Sequence, residues 1–149
     1  MLAKTIEFLA LALTALALVP AGAHFFELPA KIALGQDQYF IVQGIYAGWS
    51  RFGFILTGAL IADIVFIYLV RDQRVPLLLA SAATVLMAAT LVTFFLWIYP
   101  ANQATANWTT IPANWETLRA QWEHTHAINA VLTFTAFCAL ALAQIDARR

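Results

Sequence analysis

The sequence predicts an all-α integral membrane protein, a four-helix bundle with a cap at one end. Of its 149 residues, 62% are apolar and only 11% are charged, whereas ordinary soluble domains carry roughly 25% charged residues. A 16.4 kDa chain cannot bury this much apolar side chain inside itself, because a small protein exposes a large share of its surface. We therefore expect a single domain, residues 1–149, whose remaining apolar surface is covered by a lipid bilayer.

Charge and cysteine content exclude several other classes. Eight basic side chains balance eight acidic ones, so the chain lacks the positive field that attracts nucleic-acid phosphates, and no nucleic-acid partner is expected. The single cysteine, Cys138, excludes an internal disulfide and a cysteine metal cage. Phosphoryl transfer and serine hydrolysis have no support, because the sequence contains neither a glycine-rich phosphate loop nor a nucleophile elbow.

Four apolar stretches have about the 20 residues that a helix needs to cross the hydrocarbon core. Such stretches must be helical in lipid, because a helix satisfies its own backbone polar groups there. The four spans cover about residues 6–26, 49–70, 75–99 and 126–145.

The first span ends in Ala21-Gly22-Ala23, which resembles a signal-peptidase site. Glu7, however, places a charge inside the apolar region, which argues against a signal peptide. We expect an uncleaved first helix that bends at Pro20.

The basic residues predict the orientation, because cytoplasmic loops of membrane proteins are enriched in lysine and arginine. Five basic residues fall on one side of a four-span chain and three on the other. The larger group is Lys4, Arg71, Arg74, Arg148 and Arg149, and the smaller is Lys31, Arg51 and Arg119. Both termini are therefore expected on the cytoplasmic side.

The two outward connections, between helices 1 and 2 and between helices 3 and 4, are expected to form the extracytoplasmic cap. Residues 39–46 fit an outward extension of the second helix. Residues 101–113 are rich in Asn, Thr and Ala and predict a loop. Asn114 fits the N-cap of a helix that begins near Trp115 and runs without a break into the fourth span.

Large aromatic and histidine side chains concentrate at the outward end, which holds all five tryptophans, all three histidines and three of the four tyrosines. Aromatic belts normally occupy both membrane interfaces, so a belt alone does not explain why these side chains concentrate at one end. Either a small cap packs on aromatic side chains, or a pocket binds an aromatic or isoprenoid ligand. The ligand-binding candidates are Tyr46, Trp49, Trp97, Trp115 and Trp122.

Two helical stripes at this end each carry a histidine and a carboxylate three residues apart. His24 and Glu27 lie on the first helix, and Glu123 and His126 lie on the fourth. Helix bundles build metal sites from such pairs, but the further carboxylates of a di-iron site are missing here. One zinc, iron or copper ion is the most these four residues would hold. The alternative is a hydrogen-bonded ion network with Lys31 or Arg119 and no metal.

Asp63 lies inside the second span, where an ionisable side chain is a candidate functional group. One acid without partners on other helices makes a poor proton pathway. We expect it to hydrogen-bond to Thr84, Thr90 or a backbone carbonyl.

Two blocks of the sequence resemble a known family. The first is residues 28–32 (LPAKI), continuing through residues 39–43 (YFIVQ) to Gly48 and Trp49. The second is residues 99–102 (YPAN), followed by a helix that carries Trp115, Arg119, Trp122, Glu123 and His126. Together they are similar to bacterial members of the anthrone-oxygenase-like proteins, small four-helix membrane proteins long catalogued as a domain of unknown function. The resemblance covers nearly the whole chain and implies a bacterial inner-membrane protein.

The resemblance also implies an activity, because fungal members are linked to the oxidation of polyketide anthrones to anthraquinones. An oxygenase or oxidoreductase of this type would act on quinol-like or polycyclic phenolic molecules. His126 or Glu123 would then be the general base, Arg119 would stabilise the oxyanion, and Asn102 would orient it. The alternative is a non-enzymatic membrane accessory or binding subunit, in which the tryptophans anchor an interface. The sequence leaves open whether the chain works alone, as an oligomer or with a partner subunit.

Overall fold

The computed structural model describes residues 1–147 and is almost entirely helical. Its α-helices are α1 (Leu2–Ile32), α2 (Gln36–Gln43), α3 (Phe52–Leu69), α4 (Arg74–Thr93), α5 (Tyr99–Ala104) and α6 (Trp115–Ala147). No β-strand occurs within these residues. The predicted all-α fold is confirmed.

Four helical segments of the described chain are long and apolar enough to cross a membrane, in agreement with the number of spans that the sequence predicts. They are Leu2–Ile32, Trp49–Leu69, Arg74–Ala104 and Trp115–Ala147. Three of them are longer than predicted. The 33 residues of α6 extend about 50 Å at 1.5 Å per residue, whereas the hydrocarbon core is only about 30 Å thick. Their additional turns therefore project past the core.

The four long helices form a ring in which α1 and α4 each pack against both α3 and α6. One end of the ring, the turn end, is where the short connection between α3 and α4 lies. Small residues dominate its core and let the backbones approach closely. We call this set the turn-end core: Ala10, Ala59, Ala62, Phe66, Val70, Ala80, Ala83, Met87, Ala136, Leu140 and Ala143.

The outer surface of the ring is apolar. Phe8, Leu78, Val85, Val131 and Phe134, from three different helices, are each more than half exposed. A soluble protein of this size would bury most such side chains. This surface fits contact with lipid, and the chain has the form of a multi-pass membrane protein.

At the other end, the aromatic end, the first connection differs from the predicted helix extension. Helix α2 ends at Gln43 and is followed by a 3₁₀ turn over Gly44–Tyr46. Gly48 then adopts a left-handed backbone with φ of +84°, which glycine tolerates because it has no Cβ. The chain therefore turns twice before α3 begins, and residues 39–46 are separate from α3.

The second connection is only partly the predicted loop, because it starts with α5. After α5, three successive residues, Ala106, Asn107 and Trp108, have positive φ, which is uncommon for residues other than glycine. Two hydrogen bonds hold this turn. The amide of Asn107 donates to Asn102 O at 2.7 Å, and the amide of Trp108 donates to Thr105 Oγ1 at 3.0 Å.

Between α4 and α5 the helix widens into a π-helical turn over Phe94–Ile98. Pro100, the second residue of α5, has no N–H to donate to the preceding turn. The side chain of Gln121 on α6 donates to Trp97 O at 2.7 Å, so α6 supports the widened turn. Turns of this type are frequent at functional sites, and this one forms part of the wall of a cavity.

Candidate functional site

A cavity of about 1060 Å³ lies within the bundle at the aromatic end. It extends from the turn after α5 to Thr133 on α6, and its walls come from α1, α3, α4 and α6 together with residues 43–50. The volume is slightly above the range of about 300–1000 Å³ found for small-molecule sites. The cavity lies at the same end of the bundle as the tryptophans and histidines.

His24 of α1 and His126 of α6 lie side by side in the cavity wall. Their ring centroids are 4.1 Å apart, and the ring planes meet at 32°. Trp122 contacts both rings, with its centroid 4.9 Å from His24 and 4.2 Å from His126. Nδ1 of His24 is buried without a hydrogen-bond partner among residues 1–147. The histidine pair is thus packed by aromatic rings and has hydrogen-bonding capacity that the described chain leaves unused.

A buried ion pair joins the same two helices. Lys31 Nζ lies 2.7 Å from Glu123 Oε1, and both side chains are buried. The hydroxyl of Tyr39 donates to the same carboxylate oxygen at 2.9 Å and itself accepts a hydrogen bond from Gln43. The pair therefore ties α1, α2 and α6 together.

The ammonium group of Lys31 also contacts the segment after α2. Lys31 Nζ donates to the hydroxyl of Tyr46 at 3.0 Å, and that hydroxyl donates to Glu27. The ammonium lies 4.3 Å from the Tyr46 ring centroid and 4.7 Å from that of Trp122, within the range of cation–π attraction. Lys31 is therefore the central cation of the network.

The two tyrosines of this network act as hydrogen-bond donors. Burial raises the pKa of Tyr39 far above its ordinary value, and the negative charge of Glu123 raises it further. Burial likewise raises the pKa of Tyr46, assisted by its hydrogen bond to Glu27. Both phenols stay protonated at neutral pH, so neither serves as a base.

Two residues with predicted catalytic roles are engaged in structural contacts. Arg119 Nη1 donates to Leu34 O at 2.7 Å, and the guanidinium lies 4.6 Å from the Trp115 ring centroid. Asn102 Oδ1 accepts the indole N–H of Trp122 at 2.8 Å and that of Trp108 at 3.2 Å. Arg119 fastens the start of α6 to the turn after α1, and Asn102 orients two tryptophans.

The predicted site residues divide into those at the cavity and those outside its wall. Of the described residues, the cavity wall includes the first group: His24, Tyr46, Trp49, Asn102, Trp122 and His126. The second group lies outside that wall: Glu27, Trp97, Trp115, Arg119 and Glu123. Of the two candidate bases, His126 lines the cavity and Glu123 does not, and Arg119 also lies outside the cavity wall.

The four-ligand metal site, one of the two alternatives that the sequence left open, is not assembled in the described part of the chain. Within residues 1–147 there is no group of three or more histidine, cysteine, aspartate or glutamate side chains placed to hold a metal ion. The two carboxylates, Glu27 and Glu123, bind Lys31 and the tyrosines, whereas His24 and His126 stack on each other. The alternative ion network is present and is centred on Lys31, without Arg119.

Two residues of the cavity wall were not among the predicted site residues. Gln43 and Trp108 both line the cavity, and the spacing of Tyr39 and Gln43 at i and i+4 on a helix would have indicated a shared face. Trp108 carried no such signal, because its position depends on the left-handed turn after α5.

Asp63 is fully buried in α3, and neither carboxylate oxygen has a hydrogen-bond partner in the part of the chain that the structure describes. The prediction that Asp63 hydrogen-bonds to Thr84, Thr90 or a backbone carbonyl is therefore wrong for the described residues. Thr84 donates to Ala80 O and Thr90 donates to Met87 O, each within its own helix. Asp63 lies among residues of the turn-end core and outside the cavity wall.

Comparison of the chain with protein-family models, with curated proteins and with solved structures finds no match. These comparisons therefore assign no family. The case for a function rests on the cavity, its histidine pair and the residues around them.

Proposed function

We propose that the protein binds a quinol-like or polycyclic phenolic molecule in the cavity and oxidises it as an anthrone-type oxygenase. The observation that carries the proposal is the pair His24 and His126, packed by aromatic rings in the wall of a cavity of about 1060 Å³. The family resemblance implies a bacterial inner membrane, and the distribution of basic residues predicts that both termini lie in the cytoplasm. The aromatic end then faces outward.

The composition of the cavity wall favours a neutral aromatic ligand. No aspartate, glutamate, lysine or arginine is among the described residues that line it, and a charged ligand would lose its hydration without gaining an ion pair. Tyr46, Trp49 and Trp122 offer ring faces and edges for stacking. The histidines supply the polar groups that a phenolic hydroxyl needs.

His126 is the proton acceptor in this proposal, because it is the candidate base that lines the cavity. In an anthrone, an activated ring methylene gives one proton to His126, and the resulting carbanion adds dioxygen to form a peroxide anion. That anion takes the proton back from His126 and becomes a hydroperoxide. Loss of water from the hydroperoxide then leaves a carbonyl group. One oxygen atom of dioxygen ends in the quinone and the other in water, so dioxygen is the oxidant and the substrate supplies both hydrogens.

A non-enzymatic accessory or binding subunit is the second candidate, and one surface favours it. Phe95, Leu96, Trp97 and Tyr99 are all exposed on and beside the π-helical turn. Exposed aromatic residues of this kind are enriched at protein interfaces. In this case the cavity residues would be structural, and turnover would be absent.

The test compares two histidine variants in purified protein. His126→Ala is expected to weaken the binding of a hydroquinone or anthrone probe by about tenfold or more and to abolish any oxygen consumption with anthrone. His124→Ala is the matched control, because His124 is an exposed residue of the same helix that lies outside the cavity wall, and its Nδ1 is hydrogen-bonded to Ala120 O. Tryptophan fluorescence quenching measures binding, and an oxygen electrode measures turnover. Equal behaviour of the two variants would contradict the proposal.

A further inference from the structure

Two residues of the cavity wall are also exposed on the outside of the bundle. Phe54 on α3 is 82% exposed and Phe95 in the π-helical turn is 61% exposed, although both line the cavity. Both lie inside the segments Trp49–Leu69 and Arg74–Ala104 that are apolar enough to cross a membrane. The cavity therefore opens sideways between these two segments.

The gap between α3 and α4 is confined to the aromatic end. At the turn end, Phe66 of α3 belongs to the same packed core as Ala80 and Met87 of α4. Towards the aromatic end the cavity lies between residues 52–57 and residues 90–95. A Cβ added at Gly53 would meet no described atom within 4 Å, apart from its own helix and chain neighbours. Open space thus lies beside the exposed glycine face of α3.

The walls of the gap are apolar in character. Leu56, Leu91 and Phe94 line it directly. Its two threonines satisfy their own hydroxyls, because Thr57 donates to Gly53 O at 2.8 Å and Thr90 donates to Met87 O at 2.7 Å. The buried polar atoms of the cavity wall that lack a hydrogen-bond partner within residues 1–147 include Nδ1 of His24 and Oε1 of Gln43, and both residues lie inside the cavity rather than in the gap.

We propose that the occupant is a membrane-resident aromatic amphiphile, a phenol or hydroquinone that carries one long apolar chain. Its ring lies against His24 and His126, and its chain leaves between α3 and α4 into the bilayer. The inference rests on the part of the proposed function that concerns binding of the aromatic ring, and it adds the chain and the lateral route. The inference follows from the order of the regions in the protein. The polar cavity interior matches the phenolic ring, the apolar gap matches the first part of the chain, and the lipid-facing surface matches its end. The chain then stays in apolar surroundings throughout.

The experiment measures the affinity of two probes in detergent micelles, decyl-hydroquinone and the same ring without a chain. Gly53→Phe fills the gap, and is expected to weaken decyl-hydroquinone binding by about tenfold while changing the affinity for the ring alone by less than about twofold. Thr57→Phe obstructs the gap one turn deeper and is expected to act in the same way. Ile61→Phe is the control, because Ile61 is exposed on α3 but lies outside the cavity wall.

The outcomes separate this inference from the proposed function. If the wild-type protein binds neither probe, the proposed function fails. If it binds both with equal affinity, or if Gly53→Phe weakens both alike, the ring site stands and the chain route is refuted. Displacement of decyl-hydroquinone by added diacyl phospholipid would assign the gap to bilayer lipid and would also overturn the inference. Retained binding of the unchained ring by Gly53→Phe shows that the variant is folded.

Discussion

The two ends of the bundle are built from different residues: the turn end is closely packed, and the aromatic end surrounds a cavity. The turn-end core consists mainly of alanines with a few large apolar side chains, and its helices pack closely. The aromatic end holds stacked histidines, tryptophans and a buried ion pair around a cavity of about 1060 Å³. The closely packed small residues lie at the turn end, and the cavity lies at the aromatic end. The aromatic end is therefore the part of the molecule in which we propose that a ligand binds.

The buried pair Lys31–Glu123 belongs to the aromatic end, and breaking it is expected to have the largest effect on stability. Lys31→Ala would leave Glu123 charged and buried, and we expect a loss of about 3–5 kcal/mol in unfolding free energy. Replacing both residues, as in Lys31→Met with Glu123→Leu, is expected to restore most of that loss, because no charge then remains buried. Thermal unfolding in detergent measures both variants.

The matched control lies at the turn end. Arg71 and Asp72 are 3.9 Å apart and are 53% and 90% exposed, so Arg71→Ala is expected to leave the unfolding temperature unchanged. If Lys31→Ala proved as mild as Arg71→Ala, the ion pair would not hold the aromatic end together.

Substitution of Asp63 is expected to change the stability less than Lys31→Ala does, and in the opposite direction. Its carboxyl group is buried at the edge of the turn-end core without a partner among residues 1–147. Asp63→Val removes an unsatisfied polar group and is expected to raise the stability by about 1–3 kcal/mol. Hydroquinone affinity should stay the same, because Asp63 lies outside the cavity wall. A fall in stability would show that Asp63 has a structural partner, and a loss of affinity would show that the two ends are coupled.

The sequence predicted the four long apolar helices, because hydropathy over about 20 residues is a property of each segment alone. It also brought His24 and His126 to the same level of the bundle, since one residue ends the first span and the other begins the fourth. The structure confirms that they meet.

The side-chain partners at the aromatic end could not be predicted, because they depend on contacts between residues that are far apart in the sequence. Lys31 could pair with Glu27 on its own helix or with Glu123 on another, and spacing alone cannot choose between them. Arg119 binds Leu34 O, a carbonyl in the turn just after α1, where helix ends leave backbone acceptors without partners. The position of Trp108 follows from three successive positive φ angles, for which the sequence carried no signal.

The central claim is that the aromatic end, and not the turn end, holds the ligand. Photolabelling with an azide-bearing hydroquinone, followed by mass spectrometry of the peptides, tests it most directly. We expect labels on Trp49, Trp122 and the residues next to His126, and we expect excess unlabelled hydroquinone to suppress them. Labels confined to turn-end peptides, or labelling that the competitor leaves unchanged, would contradict the claim.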